Sequence, residues 1–168
     1  LCRCTGYRPI IDATMNMGNY PETGPALETV KQQLQALQGQ TNDPLIIETA
    51  DQTYWAPKTS SQLAQLFNEH PDAALLAGGT DLGLMVTKQL KHFDKVIYLG
   101  NVADAATISA EDNHLVIGAA VFLNEGYEAL AKHYPEVTEL WKRFASMPIR
   151  YSGTLVGNVA NGSPIGDS

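Results

Sequence analysis

The chain has 168 residues, enough for one ordinary domain or for one domain and part of another. With 44% hydrophobic and 17% charged residues, its composition is that of a globular protein rather than a disordered one. The formal net charge of −7 argues against non-specific binding to DNA, RNA or anionic membranes, because those polyanions attract basic surfaces. No apolar run approaches the roughly 18 residues of a membrane span, and no signal peptide is evident at the start.

The two cysteines, Cys2 and Cys4, lie at the start of the chain. Two cysteines this close do not make a disulfide scaffold, so the sequence predicts a reducing compartment, the cytoplasm. Thiolates at this spacing can ligate iron, a zinc site is also open, and the pair can equally be incidental. The chain starts at Leu1 and stops within a glycine-rich stretch, so we interpret it as a fragment of a longer protein.

Proline and glycine divide the chain into three predicted regions. Residues 1–20 hold the cysteine pair, residues 21–53 form a linker, and residues 54–168 form the main domain. Four apolar residues of the linker recur at helical spacing: Leu27, Val30, Leu34 and Leu37. This pattern predicts one amphipathic helix that docks on another surface.

Strands and helices alternate after residue 53, which indicates an α/β or α+β domain. The predicted strands cover 54–56, 73–77, 95–99, 107–109 and 114–118. The run at 73–77 is predicted to be buried, and the last two strands form a hairpin. The predicted helices cover 59–70, 122–133 and 136–145. The first of them begins with a capping box formed by Thr59 and Gln62.

The segment Gly78-Gly79-Thr80-Asp81 lies between an apolar strand and a second apolar run. Glycines let a backbone approach a ligand, and free N–H groups at a helix start favour phosphate. The spacing is not that of the dinucleotide-binding fingerprint. From these residues alone, the segment is either a phosphate-binding turn or an ordinary turn.

The stretch 152–167 mixes glycine with Thr, Asn, Ser and Asp. It also keeps four apolar residues that a flexible linker would not need: Leu155, Val156, Val159 and Ile165. A loop that lines a cofactor would use such residues as anchors, so both a ligand-binding and a structural interpretation stay open. No Ser/His/Asp or paired-carboxylate arrangement indicates a hydrolase.

Three stretches, in this order, resemble the xanthine dehydrogenase and aldehyde oxidase family of molybdenum hydroxylases. Residues 1–10, LCRCTGYRPI, resemble the end of the second [2Fe-2S] domain, where a C-x-x-C pair and this C-x-C pair hold one cluster. Residues 75–82, LLAGGTDL, resemble the first FAD segment of the family. Phe144 together with residues 154–167 resembles the second FAD segment.

The resemblance implies the N-terminal portion of an α/β (α+β) FAD-binding domain of the molybdenum hydroxylase type, preceded by the tail of a helical [2Fe-2S] domain. It implies that Cys2 and Cys4 ligate cluster iron, as an incomplete ligand set because the C-x-x-C pair is missing. It also implies two groups of FAD contacts. The pyrophosphate group comprises Leu75, Leu76, Ala77, Gly78, Gly79, Thr80, Asp81 and Leu82, and the flavin or ribityl group comprises Phe144, Thr154, Asn158, Asn161 and Asp167.

By the same resemblance, the chain belongs to an oxidoreductase with the cluster and FAD on one small subunit. A molybdenum cofactor on a partner large subunit or domain would hydroxylate a purine, and electrons would pass through the cluster to FAD and on to NAD. The fragment alone is expected to be inactive and to bind FAD weakly, and its apolar anchors leave self-association open. The rivals are an aldehyde oxidase-like component that reduces oxygen, and a non-catalytic docking module that uses the linker helix.

Overall fold

The computed structural model describes residues 6–37 and 42–162. The chain divides into two compact units, Leu1–Thr41 and Asn42–Ser168. In the first unit, helix α1 (Arg8–Asn16) leads into a short 3₁₀ turn, and helix α2 (Leu27–Leu37) follows. Helix α2 forms where the spacing of apolar residues predicts the amphipathic helix. Among the described helices of both units, none combines the length and the apolar character that a bilayer crossing requires.

The second unit is built on a four-stranded sheet with the strand order β1-β2-β4-β3. The strands are β1 (Leu45–Glu48), β2 (Thr53–Ala56), β3 (Ala74–Leu76) and β4 (Lys95–Tyr98). Strand β1 pairs antiparallel with β2, whereas β4 pairs in parallel with both β2 and β3. Parallel pairing requires crossover connections, and helices α3 (Ser60–Glu69) and α4 (Leu82–Gln89) supply them. These strand–helix–strand units confirm the predicted α/β class.

Both edges of this sheet differ from the sequence-based expectation. Strand β1 lies inside the predicted linker, where no strand was expected, and all four of its residues are exposed. Strand β3 is shorter than the predicted run at 73–77 and is not fully buried, since Leu75 is 43% exposed. The reason is its position at the sheet edge, where one side of the strand has no neighbouring strand among the described residues.

Helix α3 covers one face of the sheet. Its residues Leu63 and Leu66 pack on a buried cluster of Trp55, Ala73 and Ile97. The predicted cap is present in part, because the Thr59 hydroxyl accepts the N–H of Gln62 at 3.2 Å. The reciprocal bond of a capping box is absent among the described residues, because the Gln62 side chain accepts the N–H of Lys58 at 2.8 Å instead.

A predicted hairpin is confirmed as β5 (Ile108–Glu111) and β6 (His114–Ile117), which form a separate two-stranded sheet. Four helices follow: α5 (Leu123–His133), α6 (Thr138–Arg143), α7 (Met147–Arg150) and α8 (Leu155–Asn161). Residues of α5, α6 and α8 pack together in a second hydrophobic cluster, with Leu123, Tyr127 and Leu155 at its centre.

Within the glycine-rich stretch 152–167, residues Leu155–Asn161 form a helix rather than a loop. The Thr154 hydroxyl accepts the N–H of Gly157 at 3.1 Å and so caps the start of α8. Gly162, with a φ of 57°, ends the helix in the left-handed conformation. Leu155 is buried in the second cluster, so this residue does not contribute to an exposed apolar patch that could drive self-association.

Candidate cofactor-binding site

A cleft of about 430 Å³ lies between the loop that follows β3 and helix α8. Most of the predicted FAD contacts line this cleft: Leu75, Ala77, Gly78, Gly79, Thr80, Asp81, Leu82, Thr154, Asn158 and Asn161. The first seven come from β3, the loop that follows it and the start of α4, and the last three come from α8 and its N-cap. The fold therefore brings together two segments that lie about seventy residues apart in the sequence.

Two of the predicted contacts lie elsewhere in the structure. Leu76 lines a neighbouring cavity of about 300 Å³, because successive side chains of a strand point to opposite faces of the sheet. Phe144 packs in the second hydrophobic cluster, with its ring centroid 5.8 Å from that of Tyr127. Three predicted ligands lie outside the described residues: Cys2, Cys4 and Asp167.

Five lining residues were not predicted: Leu99, Ala119, Val156, Gly157 and Ala160. Leu99 follows β4, and the ends of adjacent parallel strands meet at the same edge of a sheet, which is where ligands bind in open α/β sheets. Val156 and Ala160 are four residues apart and share one face of α8. This helical spacing is the sequence signal that would have identified Val156 and Ala160 as cleft residues.

The Gly78-Gly79 turn lies directly against the backbone of the segment that precedes α8. An added Cβ at Gly78 would collide with the Ser152 carbonyl oxygen and would lie 2.6 Å from the Gly153 Cα atom. Gly79 has a φ of 71°, a left-handed conformation that side chains with a Cβ disfavour. Both glycines are therefore required for the loop to form this wall of the cleft.

Helix α4 begins at the cleft. Its first turn is closed by the Gly83 N–H, which donates to the Gly79 carbonyl at 2.8 Å. In the part of the chain that the structure describes, the N–H groups of Thr80, Asp81 and Leu82 have no acceptor. They lie at the positive end of the helix dipole, an arrangement that suits phosphate oxygens.

Charge at the cleft comes from one side chain. Of the described residues that line it, Asp81 alone carries a formal charge, and its carboxylate makes no capping hydrogen bond to α4. A phosphate bound here would be held by backbone N–H groups rather than by lysine or arginine. Within residues 6–37 and 42–162, no group of three or more His, Cys, Asp or Glu side chains could hold a metal ion.

The family described as the FAD binding domain in molybdopterin dehydrogenase matches residues 48–168. The chain belongs to this family. The matched residues include both walls of the cleft, so the chain carries the FAD-binding module of the molybdenum hydroxylases. The tail of a helical [2Fe-2S] domain in front of it stays a prediction.

The relatives of this chain include several different enzymes. Xanthine dehydrogenase from Drosophila pseudoobscura pseudoobscura is 27% identical, with a match that covers 99% of this chain and 16% of the relative. The nicotinate dehydrogenase FAD-subunit of Eubacterium barkeri is 30% identical over 70% of this chain and 41% of that protein.

The fold also matches solved structures. Reconstituted CO dehydrogenase from Oligotropha carboxidovorans superposes with a TM-score of 0.62 at 31% identity, over 72% of this chain and 43% of that chain. This similarity confirms the mixed α/β fold of the molybdenum hydroxylase FAD-binding domain. The chain thus spans less than half the length of each of these three relatives.

Proposed function

We propose that this chain binds FAD in the cleft between the Gly78–Asp81 loop and α8, as the flavin module of a xanthine dehydrogenase-like oxidoreductase. The observation that carries the proposal is the convergence of the two cleft walls. One wall has N–H groups without an acceptor among the described residues, and the other has polar side chains. A volume of about 430 Å³ lies within the range of roughly 300–1,000 Å³ of ligand pockets.

The residues present fit the parts of FAD. The N–H groups of Thr80–Leu82 would hold the pyrophosphate, because they are unpaired among the described residues and lie at a helix start. Asn158 and Asn161 would contact hydroxyl groups, and Leu99 and Val156 would exclude water from the apolar part of the cofactor. FAD, when bound, supplies the redox chemistry, which the protein tunes by orientation and electrostatics.

The finer proposal concerns the electron route. Cys2 and Cys4 would supply two thiolate ligands of a [2Fe-2S] cluster, and a C-x-x-C pair outside this sequence would supply the others. Electrons from purine hydroxylation at a molybdenum cofactor, on a partner subunit or domain, would pass to FAD and then to NAD. Thiolate ligands of this kind fit a reducing, cytoplasmic compartment.

An aldehyde oxidase-like role remains the alternative. The indole-3-acetaldehyde oxidase of Zea mays is 24% identical to this chain over 95% of its length. In either role, the substrate pocket would lie on the molybdenum-binding part. A steady-state assay of the intact protein with xanthine and with an aldehyde, each with NAD or oxygen, separates them.

The test of FAD binding compares two exposed helical alanines. Ala160 lines the cleft on α8, whereas Ala64 lies on α3 and is absent from its lining. We expect Ala160→Leu to weaken FAD binding by roughly tenfold or more, since overpacking a filled site costs about 1–3 kcal/mol. Ala64→Leu is the matched control and should leave FAD binding unchanged.

The measurement is a fluorescence titration of the intact apoprotein with FAD. A wild-type protein without affinity for FAD would refute the proposed function itself. Wild-type affinity in the Ala160→Leu variant would show that FAD binds outside this cleft.

Replacement of Cys2 or Cys4 by Ser tests the cluster separately, because it should remove one iron–sulfur signal from the paramagnetic resonance spectrum.

A further inference from the structure

Arg150, the last residue of α7, is only 8% exposed although it is charged. Its Nη1 atom donates to the carbonyl oxygen of Trp141 at 2.7 Å and to that of Lys142 at 3.3 Å. Both carbonyls belong to the last turn of α6, where intrahelical donors run out. A cation at this end also meets the negative end of the helix dipole. Arg150 therefore caps α6 from the following helix.

The remaining polar surroundings of Arg150 are sparse. Its guanidinium lies over the Trp141 ring, 5.4 Å from the ring centroid. The Nε–H group of Arg150 and the Nε1–H group of Trp141 are buried, and neither has an acceptor among the described residues. The two bonds from Nη1 are thus the polar contacts that fix this side chain. A buried charge is costly, so an apolar residue would suit a purely structural position better.

The segment after Arg150 connects α7 to the cleft. The Gly153 N–H donates to the Ile149 carbonyl at 2.8 Å, and the Gly153 carbonyl accepts the Leu123 N–H at 2.8 Å. Gly153 and its neighbour are the residues against which Gly78 packs without room for a Cβ. Thr154, the next residue, lines the cleft and caps α8. A hydrogen bond therefore connects α7 to the segment that contacts the Gly78-Gly79 turn and leads into α8.

We propose that Arg150 is a positioning residue of the FAD site. Its guanidinium fixes the direction in which α7 leaves α6, and this direction places residues 152–154 against the Gly78-Gly79 turn. Arg150 is not among the residues that line the cleft, so it acts through this segment and not by contact with the cofactor. The inference rests on the proposed function of the cleft.

The test replaces Arg150 by Met, which keeps much of its length but removes the donors. Loss of charged hydrogen bonds to carbonyls should raise the FAD dissociation constant of the intact apoprotein by about ten- to a hundredfold. Arg150→Lys should lie between Met and wild type, because an ammonium reaches the carbonyls without the planar fork of arginine. The circular dichroism of saturated, bound flavin should change shape in the Met variant, which a purely structural role would not cause.

Two control variants separate positioning from general destabilisation. Arg143→Met removes an exposed arginine of α6, the helix that Arg150 caps, and should keep wild-type affinity for FAD; Arg143 pairs with Glu139 at 3.1 Å. Leu66→Ala weakens the distant first cluster and lowers stability without displacing residues 152–154. Comparable loss of FAD affinity in Leu66→Ala and Arg150→Met, at equal loss of stability, would overturn the inference.

The outcomes also separate the inference from the proposed function. FAD affinity and flavin dichroism that are unchanged in Arg150→Met refute the positioning role alone and leave the FAD site standing. Absence of FAD binding in the wild type removes both. If Arg150→Met does not fold, Arg150→Lys serves as the test. Wild-type FAD affinity and wild-type flavin dichroism in the folded Arg150→Lys variant would show that the planar guanidinium is not required, which contradicts the inference.

Discussion

Alanine in place of Gly78 tests the contact between the two segments that form the cleft. The added Cβ would lie 2.6 Å from the Gly153 Cα atom and 2.7 Å from the Ser152 carbonyl carbon. Both are backbone atoms, so a rotamer change cannot relieve the collision and one segment has to move. Overpacking of this kind lowers the free energy of unfolding by about 1–3 kcal/mol.

Gly83, five residues later, provides the matched control. No atom of the described residues lies within 4 Å of an added Cβ at this position, and the residue is already helical. Gly83→Ala should therefore raise stability by up to about 1 kcal/mol, through helix propensity alone. The same chemical change is thus expected to have opposite signs at two nearby positions, with a difference of about 1–4 kcal/mol between the two variants.

Equilibrium unfolding in urea, followed by circular dichroism, measures this difference. The unfolding midpoint should fall for Gly78→Ala and stay level or rise for Gly83→Ala, with similar slopes for both variants. Equal midpoints would refute the reasoning, because they would mean that the Gly78-Gly79 turn does not rest on residues 152–153. Gly78→Ala should also lower FAD occupancy of the intact protein, since any shift of either segment alters the cleft.

Three further predictions concern single positions. Thr154→Ala should lower the free energy of unfolding by about 1 kcal/mol, because it removes the α8 cap, whereas Thr154→Ser should retain most of it in the same urea assay. The hydrogen bonds from Lys95 hold the pKa of Asp72 below its ordinary value of 3.8. Its contribution to stability is thus full above that value and is lost as the pH falls through the lower folded pKa. The advantage of wild type over Asp72→Asn should therefore shrink as the pH falls below 3.8 in acid titrations of the unfolding midpoint. Leu90 is 86% exposed and has a φ of 55°, so Leu90→Gly should raise the melting temperature, with a gain in stability of about 0.5–1 kcal/mol, and an unchanged or lower value would contradict the strain.

Elements with a clear period could be predicted from the sequence. Helix α2 has apolar residues at helical spacing, α3 has Leu63 and Leu66 on one face after the Thr59 cap, and β4 is an apolar run between polar turns. The hairpin followed from a turn-rich segment, in which Asp112 adopts a left-handed φ of 48°. In these segments, local preference and tertiary packing favour the same structure.

Elements that depend on tertiary contacts were missed. Strand β1 is four residues long, and its pairing with β2 defines it more than its composition does. Helix α8 contains Gly157 and two asparagines, which disfavour helix, so the cap at Thr154 and the burial of Leu155 stabilise it instead. The composition of this segment alone therefore predicts a loop.

The candidate site was only partly accessible from sequence. The Gly78-Gly79 turn has a weak local signal, and its meaning depends on a contact with Gly153 that no local pattern reveals. The resemblance placed Phe144 at the flavin, whereas the structure packs its ring on Tyr127. Small lining residues such as Ala119 carry no chemical signal in a sequence, because their role is to leave space.

A crystal structure of the intact protein with FAD tests the central claim most directly. The account predicts the pyrophosphate oxygens within about 3 Å of the backbone nitrogens of Thr80–Leu82, with the rest of the cofactor along α8. Gly78 should remain packed on Gly153 in that structure, and Arg150 should still cap α6. FAD bound at another surface, or a pyrophosphate held by lysine or arginine side chains away from this loop, would contradict the account.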